Sequence, residues 1–212
     1  PKPKNQKGKS VEVKVQPTKE SIMPGVITLP ISAGNDTPIM FNGKVDWESG
    51  QFVHLTHIGN NKYLTVKHFF AEPEDTFTVV WRGQTMEFKS EDVKPMIDPD
   101  YDEDLVSVEL KINPIPKYFK VCSKPVVTGT QVSLSRCNRE KKWSTSVSSA
   151  QVKDHELIHT CNSQNGTCGA PLLDAGNFVC AIHFGTDNTR NQATVVSKDT
   201  VARLTSEMDF HH

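Results

Sequence analysis

The sequence predicts an all-β protein made of two β units of about 90 residues each, with a site in the cleft between them. Short runs rich in β-branched and aromatic residues recur at about ten-residue spacing, separated by Gly, Asn and Asp clusters. Only residues 201–209 (VARLTSEMD) carry a helical pattern. Near the middle, Asn113-Pro114-Ile115-Pro116 is a stiff segment that cannot sit in a central strand.

The elements follow in order. Residues 1–20 carry Lys2, Lys4, Lys7, Lys9, Lys14 and Lys19 with few apolar neighbours, which reads as a basic, solvated arm. No apolar stretch follows PKPKNQKGK, so it does not read as a signal peptide, and Pro1 in place of Met reads as a cut from something longer. The first β unit, residues 21–112, contains VITLPI, FVHLTHI, YLTVKHFF, TFTVVW and LVSVELKI. Its turns fall at Gly34-Asn35-Asp36, Gly59-Asn60-Asn61 and Arg82-Gly83-Gln84. Residues 113–119 are the linker. The second unit, residues 120–203, resumes with PVVTGTQVSLSRC, STSVSSAQV, HELIHTC, GAPLLD, NFVCAIHFG and ATVVS. Residues 204–212 read as a tail, ending in His211-His212, which resembles a tag remnant.

Composition excludes several classes. Hydrophobic residues at 36% and charged residues at 23% supply a core, so the chain is not disordered as a whole. Lys+Arg 24 against Asp+Glu 25 leaves a net charge of -1, which argues against a strongly basic nucleic-acid binder. No apolar run approaches the ~18 residues of a membrane span. The cysteines (Cys122, Cys137, Cys161, Cys168, Cys180) are odd in number and form no C-x-x-C pair, so a zinc ribbon has no support and reduced thiols are expected. His54 and His57, three apart on a strand, face opposite ways and make poor co-ligands. His155 and His159 would share a face only on a helix, and their surroundings read as strand. Neither a metal nor an organic cofactor is expected.

The chemistry concentrates at Asn165-Gly166-Thr167-Cys168-Gly169-Ala170-Pro171. A nucleophile on a tight turn projects its side chain while nearby backbone N–H groups converge on an oxyanion. Gly166 permits an unusual backbone conformation, Gly169 keeps the approach clear, and Cys168 supplies a thiolate if a base is near. The oxyanion donors expected are the N–H groups of Gly166, Thr167 and Cys168. For the base, Tyr63-Leu64-Thr65-Val66-Lys67-His68 is an apolar strand ending in histidine. Asp104 directly precedes Leu105-Val106-Ser107-Val108, so it is the preferred carboxylate to orient His68, with Asp102 as the fallback. No G-x-S-G occurs, so serine is not a rival.

The ordered set KHFF, DLVSVEL, NGTCGAPLL and Val179-Cys180-Ala181-Ile182-His183-Phe184-Gly185 resembles the chymotrypsin-fold cysteine proteases of positive-strand RNA viruses. Among them it is most similar to the nuclear-inclusion-a proteases of potyviruses, over roughly residues 25 to 200. The resemblance implies two six-stranded antiparallel β-barrels with a Cys-His-Asp active site between them. It also implies a viral polyprotein as substrate, cut through a thioester in the host cell cytoplasm after release from that polyprotein. A histidine after the nucleophile and a hydroxyl five before it would line the pocket for the residue preceding the cut; here they are His183 and Ser163, which implies Gln or Glu. Ser163 replaces a common Thr, and Ala181 a common Gly. Asn188, Asn191 and Thr194 stay open as further pocket residues. Sobemovirus-type serine proteases share the layout but carry Ser at this nucleophile position. The rival readings are a binding module for RNA or a replication partner, with weak RNA contact through the arm, a sobemovirus-like serine-type protease with Cys at the nucleophile position, and a coat domain that cuts only itself.

Overall fold

A computed structural model of the chain describes residues 29–30, 36–187 and 189–210. The arm at 1–20, Asn188 and His211-His212 lie outside the described residues. In chain order the strands are β1 (Leu29–Pro30), β2 (Ile39–Asn42), β3 (Phe52–His54), β4 (Thr56–His57), β5 (Lys62–Thr65), β6 (Thr76–Trp81), β7 (Gln84–Lys89) and β8 (Val106–Glu109). There follow β9 (Gln131–Cys137), β10 (Trp143–Ser149), β11 (Gln151–Lys153), β12 (Glu156–His159), β13 (Pro171–Leu173), β14 (Val179–Thr186), β15 (Asn191–Val195) and helix α1 (Lys198–Phe210).

The first barrel combines a sheet of order β3-β2-β6-β7 with one of order β4-β5-β8. β3 and β4 are one bent run broken only at Leu55, so the two sheets share a strand and the unit has six. Met96 bridges to Ser107 and covers the outer edge of β8. Inside lie Met40, Val53, Leu55, Tyr63, Phe77, Trp81 and Val108, all buried. Each fully buried large apolar side chain contributes roughly 1.5–3 kcal/mol.

The second barrel is one sheet of order β1-β10-β9-β13-β14-β15-β12-β11. Only Ala150 separates β10 from β11, which stand near opposite ends of that order, so the sheet closes on itself. Counting β10 and β11 as one strand and setting β1 aside gives the six strands the resemblance implied. Its core holds Val132, Leu134, Leu157, Cys161, Leu172, Cys180 and Val195. The chain therefore has the all-β, two-barrel architecture expected of it.

Two boundaries differ from the sequence reading. Leu29–Pro30, assigned to the first unit, pair instead with Thr145 and Ser144 of β10 in the second. An edge strand is where a residue without an N–H fits, and β10 offers the open edge. Of the residues read as a tail, 204–210 continue α1, which runs to Phe210. Leu204 is 1% exposed and belongs to a core shared with Leu64, Leu105, Val179 and Ile182, so the helix joins both barrels. Arg203 adds an ion pair to Asp98 and lies over the Tyr101 ring. No helix among the described residues is long and apolar enough to cross a membrane.

Candidate active site

Strand register brings His68 and Asp104 together. β5 pairs antiparallel with β8, with Thr65 opposite Val106, so the segment leaving β5 lies beside the segment entering β8. His68 sits on the 3-10 turn Lys67–Phe70 just past β5, anchored by the buried Phe69. Asp104 Oδ2 lies 2.5 Å from His68 Nδ1, and Asp104 Oδ1 accepts the His68 backbone N–H at 2.9 Å. Asp104 thus fills the position for which Asp102 was the fallback. The carboxylate fixes both the ring and the backbone that carries it.

Cys168 lies where two turns meet. Thr167 N–H donates to Gln164 O at 3.0 Å, and Ala170 N–H donates to Thr167 O at 3.0 Å. Each turn has glycine at its third position with positive φ, +100° at Gly166 and +89° at Gly169, which makes both type II. Cys168 is the second residue of the later turn, and its Sγ contacts Phe184 O at 3.3 Å. A Cβ on Gly166 would come 2.4 Å from the Phe52 ring, and one on Gly169 only 2.0 Å from His54 O. Both glycines are therefore required by conformation and by space.

One expected oxyanion donor drops out. The Thr167 N–H is spent inside the first turn, where the Thr167 hydroxyl also accepts Gln164 N–H at 2.9 Å. Gly166 and Cys168 remain from the expected trio.

His54 was read as a strand histidine. The structure ties it to this loop: Nδ1–H donates to Gly166 O at 2.7 Å, and the backbone N–H donates to Cys168 O at 2.8 Å. Nε2 accepts the Cys137 N–H at 2.9 Å, so the ring is a neutral Nδ1–H tautomer. Burial first, then the Arg136 and His183 charges, lower its pKa to about 3 against the opposing Gly166 bond.

The residues expected to line the specificity pocket form a buried network. His159 Nδ1 accepts Cys161 N–H at 3.1 Å, which leaves the His159 proton on Nε2. That Nε2 lies 3.1 Å from His183 Nδ1, so His183 accepts there and a neutral His183 carries its own proton on Nε2. Burial, with the His183 charge second, holds His159 well below the usual histidine range. Ser163 differs from expectation, because its hydroxyl donates to Asn191 Oδ1 at 2.9 Å. Asn191 Nδ2 in turn donates to Cys161 O at 2.6 Å, which fixes the amide orientation. The Ser163 proton is therefore held by Asn191. Thr194 is buried on β15 opposite Ile182. His159 was given no role from sequence and Asn191 was left open as a pocket residue, since such hydrogen-bond chains join residues distant along the chain.

The cleft between the barrels has a volume of about 410 Å³ and is lined by His68 and Phe52 from the first barrel and by Gly166, Cys168, Phe184 and Thr186 from the second. Ser163 and His183 are buried and do not line it. Beyond His183, β14 runs on to Thr186 after β13 has ended; the last link between the two segments is Gly169 N–H to His183 O at 2.9 Å. Phe184, Gly185 and Thr186 border the cleft along this stretch. All five cysteines are free. Among the described residues, no group of three or more His, Cys, Asp and Glu could hold a metal ion.

No protein-family model matches the sequence, and no curated protein matches it. Solved structures do resemble it. A human pathogenic astrovirus serine protease superposes with a TM-score of 0.61 at 17% identity, over 88% of this chain and 98% of that one. The tobacco etch virus protease complexed with product gives 0.64 at 21% identity, over 82% of this chain and 79% of that one. A Glu endopeptidase gives 0.69 at 14% identity, over 89% of this chain and 100% of that one. The chain has the fold of the chymotrypsin-like proteases.

Proposed function

We propose that this chain is a cysteine endopeptidase that cuts a viral polyprotein after Gln or Glu, with Cys168 as nucleophile, His68 as base and Asp104 as its orienting carboxylate. One observation carries the reading: His68 from one barrel and Cys168 from the other line the same cleft, and Asp104 holds the far nitrogen of that imidazole. Likeness to viral proteases with this fold, one of them in complex with substrate, supports the substrate class. Five free thiols suit a reducing compartment, in keeping with action in the host cytoplasm after release from the polyprotein.

In this mechanism the substrate strand lies along β14 at Phe184–Thr186, which borders the cleft. With Nδ1 engaged by Asp104, His68 takes the Cys168 thiol proton at Nε2. The sulfur attacks the scissile carbonyl carbon, and the N–H groups of Gly166 and Cys168 stabilise the oxyanion. The C–N bond breaks as His68 returns its proton to the leaving amine. Water, deprotonated by His68, then opens the thioester and restores the thiol. The Gln or Glu preference rests on His183 and Ser163 standing at the pocket positions of the resembled motif; both are buried, held by His159 and Asn191 respectively.

Peptides that differ only in Gln, Glu or Ala before the scissile bond test this reading. The protein cuts the Gln or Glu peptide and spares the Ala peptide, and Cys168→Ala cuts none. Equal cleavage by wild type and Cys168→Ala would end the assignment.

A further inference from the structure

His54 is completely buried in the first barrel, and none of the chemical steps above uses it. Its contacts converge on the two residues whose N–H groups serve the oxyanion. The ring holds the Gly166 carbonyl at 2.7 Å, and the backbone N–H holds the Cys168 carbonyl at 2.8 Å. The His54 carbonyl packs where a Gly169 Cβ would fall.

Surrounding groups lock this residue in turn. Thr65 Oγ1 donates to His54 O at 3.0 Å, and Thr56 Oγ1 donates to Gly169 O at 2.9 Å. Trp143 meets the imidazole edge-on at 5.5 Å. Because Cys137 N–H occupies Nε2, the proton has one place to sit, and it is given to Gly166.

We propose that His54 is a positioning residue that sets the spacing of the two oxyanion donors by holding Gly166 in register with Cys168. The proposal rests on the protease reading above. Gly166 has no side chain to anchor it and sits at φ +100°, so the bond from His54 Nδ1–H supplies a tether that the glycine cannot supply itself. The Cys168 end is held by backbone and survives any substitution except proline. The Gly166 end depends on the imidazole. Displacing one donor by about 1 Å costs on the order of a hundredfold in rate.

Two variants separate positioning from packing. In His54→Asn the amide nitrogen stands where Nδ1 stood and can still donate to Gly166 O. In His54→Gln the polar atoms lie one bond farther out, so the acceptor for Cys137 N–H is kept and the donor to Gly166 is lost. His54→Gln is expected to lower kcat by roughly tenfold to a hundredfold with KM within about threefold, and His54→Asn to keep kcat within about fivefold. Amide hydrogen exchange over residues 164–169 should quicken in His54→Gln and stay close to wild type in His54→Asn. Equal losses in both variants that track their melting temperatures, or a fully active His54→Gln with unchanged exchange, would overturn the proposal. A wild-type protein that cuts nothing would sink the protease reading and leave the tether to be judged by exchange. Should both variants fail to fold, nitrogen NMR of the wild type decides: the His54 proton stays on Nδ1 from about pH 8 to about pH 5. A proton on Nε2, or titration in the ordinary histidine range, overturns the tether.

Discussion

Asp104 holds His68 at two points, with one carboxylate oxygen 2.5 Å from Nδ1 and the other accepting the backbone N–H at 2.9 Å. The double contact follows from Thr65 standing opposite Val106, which puts the end of one strand beside the start of the next. Ring orientation and tautomer are thereby set before any substrate arrives.

On the proposed function, removing that carboxylate should slow cleavage without abolishing it. A thiol gives up its proton far more readily than a hydroxyl, so the base needs less help. Asp104→Ala is expected to keep measurable cleavage at roughly one-tenth to one-hundredth of wild-type kcat, whereas His68→Ala and Cys168→Ala lose essentially all of it. Steady-state kinetics on one junction peptide checks the ranking, and an Asp104→Ala protein as dead as His68→Ala would refute it.

Substituting the two turn glycines should cost different amounts. At Gly166 an added methyl meets the Phe52 ring, a side chain that can yield. At Gly169 it meets the His54 carbonyl at 2.0 Å, which is backbone and cannot. Both replacements also force a positive φ on alanine, a strain of about 1–3 kcal/mol. Urea denaturation should therefore show Gly169→Ala as the more damaging of the pair. A stable, active Gly169→Ala would contradict the packing described.

Stability should fall as the solution is acidified from about pH 6.5. His54, with its pKa lowered to about 3, and His159, also well below the usual range, stay neutral when folded and bind protons when unfolded. Between the folded and unfolded values the unfolded chain holds more protons, so unfolding free energy rises with pH in this window. The slope from each group approaches ~1.4 kcal/mol per pH unit. Urea midpoints at intervals across that range measure it. A flat profile there would mean that neither imidazole is buried in neutral form.

Leu204 is the apolar anchor of α1, and it packs in the same core as Leu105, the residue after Asp104. Leu204→Ala should cost about 2–5 kcal/mol. It should lower kcat as well, because that core supports the loop holding His68 in place. Thermal melts and kinetics on the same preparation test both effects together.

Much of this was legible in the sequence, for definable reasons. The strand runs and their turns are local signals, and each barrel has the expected six strands. His68, Asp104 and Cys168 could be singled out because each adjoins a recognisable strand or glycine turn. Asp104 was preferred to Asp102 because it abuts an apolar strand, and Asp104 is the carboxylate in contact with His68. What local pattern could not give was partnership across the fold. His54 bonds to Gly166 from 112 residues away, and His159 to His183 from 24. Whether the Thr167 N–H points to the cleft or into its own turn depends on backbone dihedrals that residue type alone does not fix. Pairing of Leu29–Pro30 with the second barrel had no sequence signal, since edge pairing uses backbone groups that every residue carries.

The most direct measurement follows iodoacetamide labelling by peptide mass while recording cleavage of a Gln or Glu peptide. Burial pushes the thiols of Cys137, Cys161 and Cys180 up to about 12, and burial with the neighbouring Asp174 raises Cys122 to about 11. Cys168 alone should gain mass near neutral pH, and cleavage should decline in step with its modification. Full modification of Cys168 with cleavage intact, or even labelling across all five cysteines, would contradict the account.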